Sequence, residues 1–116
     1  MKVLLVDDDR STVVLLRLLL TGAGWEVDAA LDVRSALGFL KEKAYDWLVV
    51  DGQLRPMDGF ELAERAKVIQ PRLRIAMISG VYEAVDVRDR PIAAFFPKPV
   101  DVDALIARLR QAEPAV

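Results

Sequence analysis

Short apolar runs recur along the chain and predict five β-strands. The runs at residues 2–6 (KVLLV) and 46–50 (DWLVV) are almost continuously hydrophobic, which is typical of strands covered on both faces. Three further runs are short enough to be strands as well, at 25–30, 73–78 and 93–96. The pattern therefore predicts a sheet with buried strands.

Segments with a helical spacing of apolar residues separate these runs. Helices are predicted over three such segments, 10–21, 33–43 and 59–69, and a last helix follows the fifth strand. Gly22 ends the first helix and Pro71 ends the third. Aspartates suited to N-terminal capping precede three of the helices: Asp9, Asp32 and Asp101. The stretch 80–90, with scattered valines and mixed charges, has no clear pattern.

The alternation of strands and helices predicts a parallel sheet with helices on both faces, which is an α/β fold. The length of 116 residues fits one domain over 1–116, with 113–116 as a frayed tail or the start of a linker. In such sheets ligands bind outside the carboxyl ends of the strands. A functional site is therefore expected at that edge.

Composition narrows the possible chemistry. The chain is 53% apolar and 29% charged, with a net charge of −2 and no basic stretch of the kind that binds nucleic acid. It contains no histidine and no cysteine, which excludes thiol chemistry and a histidine base, ligand or phosphate carrier. Its apolar runs are too short to span a bilayer. We expect a cytoplasmic location, without contact to membranes or nucleic acids.

Polar residues follow the predicted strands. They are carboxylates, a hydroxyl and an ammonium: Asp7, Asp8, Asp9, Asp51, Ser79 and Lys98. Because parallel strands end at one edge of a sheet, these side chains are expected to share one cleft. Clustered carboxylates without histidine or cysteine favour a hard cation such as Mg²⁺, which also offsets their repulsion. A lysine and a hydroxyl beside it suit phosphoryl transfer, with a carboxylate such as Asp51 as nucleophile.

Motifs in a fixed order carry a family resemblance. They are VDDD at 6–9, LVVDGQLRPMDG at 48–59, MISG at 77–80 and FFPKP at 95–99. With these motifs, essentially the whole chain resembles the receiver domain of two-component response regulators. The resemblance implies a flavodoxin-like, doubly wound fold with parallel strands in the order 2-1-3-4-5. It also implies a Mg²⁺-dependent switch that a sensor histidine kinase or a phosphotransfer protein phosphorylates.

The resemblance assigns the acidic residues to metal binding and phosphoryl transfer. Asp51 resembles the phosphoacceptor. Asp7 and Asp8 resemble the acid pair that holds Mg²⁺, Asp8 more directly and Asp7 through water. Gln53 stands where a backbone carbonyl completes the metal shell.

The resemblance also assigns residues that respond to the phosphoryl group. Ser79 resembles the switch hydroxyl that bonds to it, and Lys98 resembles the lysine beside it. Phe95 resembles the aromatic switch residue. The bond between Lys98 and Pro99 is expected to be cis.

The chain departs from the family pattern in two places. The usual proline four residues after the phosphoacceptor is Arg55, and proline follows at Pro56. We expect a repositioned turn and an undamaged site. The segment between Ser79 and Lys98 is short and lacks a clear helix. This predicts a fourth helix that is short, irregular or mobile, and a signalling face that differs from the usual one.

The first helix is apolar on nearly every side. Its hydrophobic residues are Val13, Val14, Leu15, Leu16, Leu18, Leu19 and Leu20. A helix packed on one side needs only a stripe of such residues. We therefore expect either a docking surface for a histidine-kinase helix, which includes Val13, Val14 and Leu15, or a homodimer face. Single exposed apolar residues are also common on protein surfaces.

Two other functions fit parts of the sequence. The stretch DDDRS also fits the opening motif of haloacid-dehalogenase-like phosphatases, with Asp7 as nucleophile and Asp9 as acid/base, but it leaves Asp51 without a role. A receiver-like binding module that is never phosphorylated is the second alternative. The leading hypothesis is a switch that catalyses only its own phosphorylation and dephosphorylation.

Overall fold

In the computed structural model, which describes residues 1–111, the apolar runs form strands. These are β1 (Lys2–Val6), β2 (Glu26–Ala30), β3 (Trp47–Asp51), β4 (Arg74–Ser79) and β5 (Ala94–Pro97). All neighbouring strands pair in parallel, in the order β2-β1-β3-β4-β5. The predicted fold class and strand order are therefore confirmed. The predicted tail at 113–116 lies outside the described residues.

The helices are α1 (Arg10–Gly22), α2 (Val33–Glu42), α3 (Gly59–Ile69) and α4 (Val102–Arg110). Each begins after an aspartate whose carboxylate accepts a hydrogen bond from a backbone N–H of the first turn: Asp9, Asp32, Asp58 and Asp101. These bonds satisfy N–H groups that have no partner within a helix. The predicted caps at Asp9, Asp32 and Asp101 are confirmed, and the Asp9 carboxylate caps α1. Among the described residues, no helix is long and apolar enough to cross a membrane.

The sheet is covered on both faces. Val3 and Leu5 of β1 pack against α1 and α4, whereas Leu4 and Val6 pack against α2 and α3. All of these side chains are fully buried. Successive side chains of a strand point to opposite faces, so burial on both faces requires a continuous apolar run. This accounts for the pattern of KVLLV.

The segment between β4 and β5 contains a single 3₁₀ turn, Ala84–Val87, where a fourth helix was expected to be short or irregular. That prediction is confirmed. The backbone N–H of Glu83 donates to the Asp86 carboxylate at 2.7 Å, which stabilises the turn. The guanidinium of Arg90 lies 4.5 Å from the ring centroid of Phe60 and 3.6 Å from a carboxylate oxygen of Glu64. The segment is therefore held against α3.

Candidate functional site

Three carboxylates meet at the carboxyl edge of the sheet. Asp7 follows β1 and is fully buried, Asp51 ends β3 and is 6% exposed, and Asp8 is exposed. One carboxylate oxygen from each lies within 4.8 Å of the others. The parallel pairing of β1 with β3 places their ends side by side, as the sequence predicted.

Lys98 links the two buried carboxylates. Its Nζ donates to Asp7 Oδ2 at 2.9 Å and to Asp51 Oδ2 at 3.3 Å. Its backbone N–H donates to the Ser79 carbonyl oxygen at 2.8 Å, and its bond to Pro99 is cis. The ammonium thus neutralises part of the negative charge and leaves the Asp51 carboxylate in a defined orientation.

The pKa values of this cluster follow from burial and from these contacts. Burial raises the pKa of the Asp51 carboxyl, and the nearby Asp7 charge adds to it, against the hydrogen bond from Gln53 N–H and the ammonium of Lys98. Burial disfavours the charged form of Lys98. The hydrogen bond and charge of Asp7, together with Asp51, outweigh that cost and raise the lysine pKa. The ammonium therefore stays charged beside a carboxylate of increased basicity.

The donor set fits a hard divalent cation. Both oxygens of Asp7 are already engaged, Oδ1 by Asp9 N–H at 2.9 Å and Oδ2 by Lys98. Asp51 Oδ1 accepts from Gln53 N–H at 3.2 Å. Asp8, by contrast, is exposed and lines a cavity beside Asp51. Oxygen ligands without nitrogen or sulfur suit Mg²⁺, and Asp8 is the most accessible of the three carboxylates.

The cavity beside Asp51 has a volume of about 340 Å³. Its lining residues are Asp8, Asp51, Gln53, Leu54, Arg55, Asp58 and Tyr82. Sequence reasoning had placed Asp8, Asp51 and Gln53 here. The sequence pattern indicated Arg55 only as part of a repositioned turn. In the structure the bond between Arg55 and Pro56 is cis. Sequence reasoning missed Tyr82, because that residue lies in a segment without a pattern.

Two glycines let the backbone close around Asp51. A Cβ on Gly59 would overlap the carbonyl oxygen of Asp51, and Gly59 N–H donates to Gly52 O at 2.9 Å. A Cβ on Gly52 would lie 2.7 Å from Tyr82 Cδ2 and 3.2 Å from Ser79 Oγ. The start of α3, Tyr82 and Ser79 are thus packed directly against the end of β3.

Ser79 lies next to this backbone and is 1% exposed. Its Oγ accepts hydrogen bonds from the backbone N–H groups of Val81 at 3.0 Å and Tyr82 at 2.9 Å. Both bonds use the oxygen as acceptor, so neither of them uses the hydroxyl proton.

The comparisons with known proteins agree with this geometry. The family model described as "Response regulator receiver domain" matches residues 3–110. The chain belongs to that family. Receiver domains act as signalling switches and interact with histidine kinases.

Two curated relatives are longer proteins. The receiver domain is 32% identical over 113 residues to the transcriptional regulatory protein ZraR of Escherichia coli (strain K12), which is 95% of this chain and 26% of that protein. It is 31% identical over 112 residues to the transcriptional regulatory protein TrcR of Mycobacterium tuberculosis (strain ATCC 25618 / H37Rv), which is 94% of this chain and 44% of that protein. The chain therefore spans about a quarter of ZraR.

A solved structure shows the same fold. The response regulator receiver domain protein (CheY-like) from Methanospirillum hungatei JF-1 superposes with a TM-score of 0.88 at 25% identity. The superposition covers 94% of this chain and 90% of that chain. The receiver fold predicted from the motifs is confirmed.

The predicted switch residue Phe95 lies on β5, which is an edge strand of the sheet. Phe95 of β5 is half-buried and packs on the side of α2 and α3, whereas Phe96 packs on the side of α1 and α4. Phe95 pairs in register with Met77 of β4, two residues before Ser79. The switch role of Phe95 stays a prediction.

The predicted docking residues of α1 differ in exposure. Val13 is 6% exposed and packs in the core between the sheet and α4, so it does not belong to a docking surface. The sequence pattern misassigned it because α1 is apolar on nearly all sides. Val14 and Leu15 are 62% and 53% exposed. Leu15 also lines a groove of about 200 Å³ with Lys98 and Pro99.

The phosphatase alternative does not fit the geometry of this receiver domain. Asp7 is fully buried and does not line the cavity beside Asp51, so a substrate does not reach it as a nucleophile. Asp9 accepts hydrogen bonds from Thr12 Oγ1 and Ser11 N–H, which lower its pKa. A general acid requires a shift in the opposite direction.

Proposed function

We propose that this receiver domain takes up a phosphoryl group on Asp51 from a phosphohistidine and acts as a phosphorylation-dependent switch. The observation that carries the proposal is the cluster of Asp7, Asp8 and Asp51, in which Lys98 bridges the two buried members. Phosphoryl transfer is accelerated by fixed charges at the place where negative charge develops, and this cluster brings such charges together.

The transfer uses the Asp51 carboxylate as nucleophile. A carboxylate oxygen attacks phosphorus, the bond between phosphorus and the donor imidazole nitrogen breaks, and the nitrogen keeps the electron pair. Lys98, at 3.3 Å from Asp51 Oδ2, neutralises charge on the phosphoryl oxygens. Burial keeps Asp51 poorly hydrated, which leaves its lone pairs available for attack.

The metal proposed for this reaction is Mg²⁺. Asp8, Asp51 and the backbone carbonyl of Gln53 would bind it directly, and Asp7 would bind it through water. When bound, Mg²⁺ neutralises charge on the carboxylates and the phosphoryl oxygens. Asp7 orients Lys98 by the 2.9 Å hydrogen bond between them.

The phosphorylated state would reorganise the edge formed by β4 and β5. The Ser79 hydroxyl donates to a phosphoryl oxygen, and its movement carries the backbone of Val81 and Tyr82, both of which are hydrogen-bonded to Ser79 Oγ. Phe95 follows in the neighbouring strand. A phosphoryl group adds charge at one point and thereby shifts a two-state equilibrium.

The partner would be a sensor histidine kinase or a phosphotransfer protein in the cytoplasm. Val14 and Leu15 on α1, beside the groove that Lys98 lines, are the candidate docking residues, and a homodimer through the same face is the alternative. The chain 1–116 would act as one domain, with its output domain or partner left open.

The experiment is detection of the phosphoryl group by intact mass. Wild type incubated with acetyl phosphate and Mg²⁺ should gain the mass of one phosphoryl group, and EDTA should prevent the gain. Asp51→Asn should gain none. Asp58→Asn is the matched control, because it changes another acid of the same cavity while asparagine still caps α3.

Labelling that persists in Asp51→Asn would overturn the assignment of the phosphoacceptor. A wild type that takes up no phosphoryl group would favour the binding module that is never phosphorylated.

A further inference from the structure

Tyr82 is an aromatic side chain in the cavity beside Asp51 to which the proposed function gives no role. It is half-buried and lies three residues after Ser79, in the segment that lacks a regular helix. Its Cδ2 would be 2.7 Å from a Cβ on Gly52, the residue that follows Asp51. The ring is therefore in close packing with the end of β3.

Two contacts hold the ring in place. Its centroid lies 4.8 Å from that of Phe60 on α3, edge to face, at an interplanar angle of 63°. Phe60 is 5% exposed and lies beneath the guanidinium of Arg90. At the backbone, Tyr82 N–H donates to Ser79 Oγ at 2.9 Å. Tyr82 is thus a positioned wall of the cavity.

Both carboxylate oxygens of Asp51 accept a hydrogen bond from a neighbouring residue. Lys98 is hydrogen-bonded to Oδ2, and Gln53 N–H is hydrogen-bonded to Oδ1. The Asp51 side chain is 8% exposed. The space beside the carboxylate is a cavity that Tyr82 lines together with Asp8 and Gln53, so water that reaches a group on Asp51 through this cavity comes close to the ring.

We propose that the Tyr82 ring, supported by Phe60, shields an acyl phosphate on Asp51 from water and thereby prolongs the phosphorylated state. The inference rests on the proposed function and deepens it. In the hydrolysis that Tyr82 slows, a water oxygen attacks phosphorus and the bond from phosphorus to the Asp51 oxygen breaks. Asp51 recovers its carboxylate, and the released phosphate takes the oxygen, with the proton passing to solvent. The irregular segment 80–93 then has a function, because it delivers this ring.

The test is the lifetime of the phosphorylated protein, followed by intact mass after removal of acetyl phosphate. Tyr82→Ala should lose its phosphoryl group about tenfold faster than wild type. Tyr82→Phe should keep the lifetime of wild type, because it keeps the ring and its contact with Phe60. Tyr82→Leu, which removes the ring but keeps an apolar side chain, should give a smaller acceleration in the same direction.

Two controls separate shielding from a general loosening of the fold. Val85→Ala changes an exposed residue of the same segment and should leave the lifetime unchanged. In urea, where the cavity is lost, wild type and Tyr82→Ala should lose the group at equal rates.

Equal lifetimes of native wild type and Tyr82→Ala would overturn the inference, and so would an equal acceleration in Tyr82→Phe or in Val85→Ala. A wild type that accepts no phosphoryl group would instead overturn the proposed function.

Discussion

The carboxylates of Asp51 and Asp28 are under opposite electrostatic influences. Asp51 ends β3, and burial raises its pKa. Asp28 of β2 contacts the connection between α2 and β3 (residues 43–46), where a 2.7 Å hydrogen bond from the Tyr45 hydroxyl lowers its pKa against a smaller effect of burial. Folding therefore disfavours the charge of Asp51 and favours that of Asp28. The charge of Asp51, at the carboxyl edge of the sheet, therefore lowers stability, whereas the charge of Asp28, at the connection, contributes to it.

The two regions also differ in how their polar side chains are hydrogen-bonded. Gln70 uses its whole amide near the connection: Oε1 accepts from Tyr45 N–H at 3.0 Å, and Nε2 donates to the carbonyl oxygens of Leu40 and Lys43 at 2.8 and 2.6 Å. At the functional edge, Asp8 accepts no hydrogen bond from the residues that the structure describes, and the Ser79 proton is uncommitted. Polar groups that hold the fold are satisfied within it, whereas these two keep capacity for a ligand.

The largest effect should come from Lys98 at the carboxyl edge of the sheet, and Lys43 in the connection is its matched comparison. Lys98→Met leaves the fully buried Asp7 without its cation and should lower the free energy of unfolding by about 3 kcal/mol. Lys43→Met breaks the 3.2 Å pair with Asp28, whose side chain is 28% exposed, and should cost less than about 1 kcal/mol. Urea denaturation at pH 7 measures both. Similar losses would show that burial does not distinguish the two pairs.

A smaller effect of opposite sign is expected at Asp51. Without divalent cations, Asp51→Asn should be more stable than wild type at pH 7 by about 1.5 kcal/mol. The reason is that a carboxyl whose pKa is raised in the folded state opposes folding once the pH exceeds its unfolded pKa. The advantage should shrink as the pH is lowered toward about 4, where the unfolded carboxyl also binds its proton. Urea midpoints in EDTA from pH 7 to pH 4 test this, and a constant advantage would contradict it.

Much of the fold was predictable because buried strands and helix starts each have a recognisable local sequence pattern. The run KVLLV indicates burial on both faces, and Asp9, Asp32 and Asp101 mark helix starts by a short-range bond. Even the irregular segment was predicted, from the absence of helical spacing before Pro91. Val13 was misassigned, since a helix that is apolar on nearly all sides does not reveal which side packs.

The site was predictable only as far as the topology brings its residues together. Asp7, Asp51 and Lys98 stand directly at the ends of strands, so parallel pairing was enough to place them in one cluster. Tyr82 reaches the same cavity through an irregular segment and a contact with α3. Such a position depends on backbone angles and packing that no periodic pattern encodes.

An effect smaller than that of Asp51→Asn is expected at Tyr45, in the connection between α2 and β3. Tyr45→Phe removes the hydrogen bond to Asp28 and should lower the free energy of unfolding at pH 7 by about 1 kcal/mol. A carboxyl whose pKa is lowered by folding contributes stability above its unfolded pKa and loses it as the pH falls through the folded value. The deficit of Tyr45→Phe should therefore stay constant from pH 7 to about 4 and shrink only below that. From pH 7 to about 4, by contrast, the stability advantage of Asp51→Asn over wild type should disappear. The urea midpoints of Tyr45→Phe, Asp51→Asn and wild type are measured in parallel. If the differences of both variants from wild type changed over the same range of pH, the contrast between Asp28 and Asp51 would be contradicted.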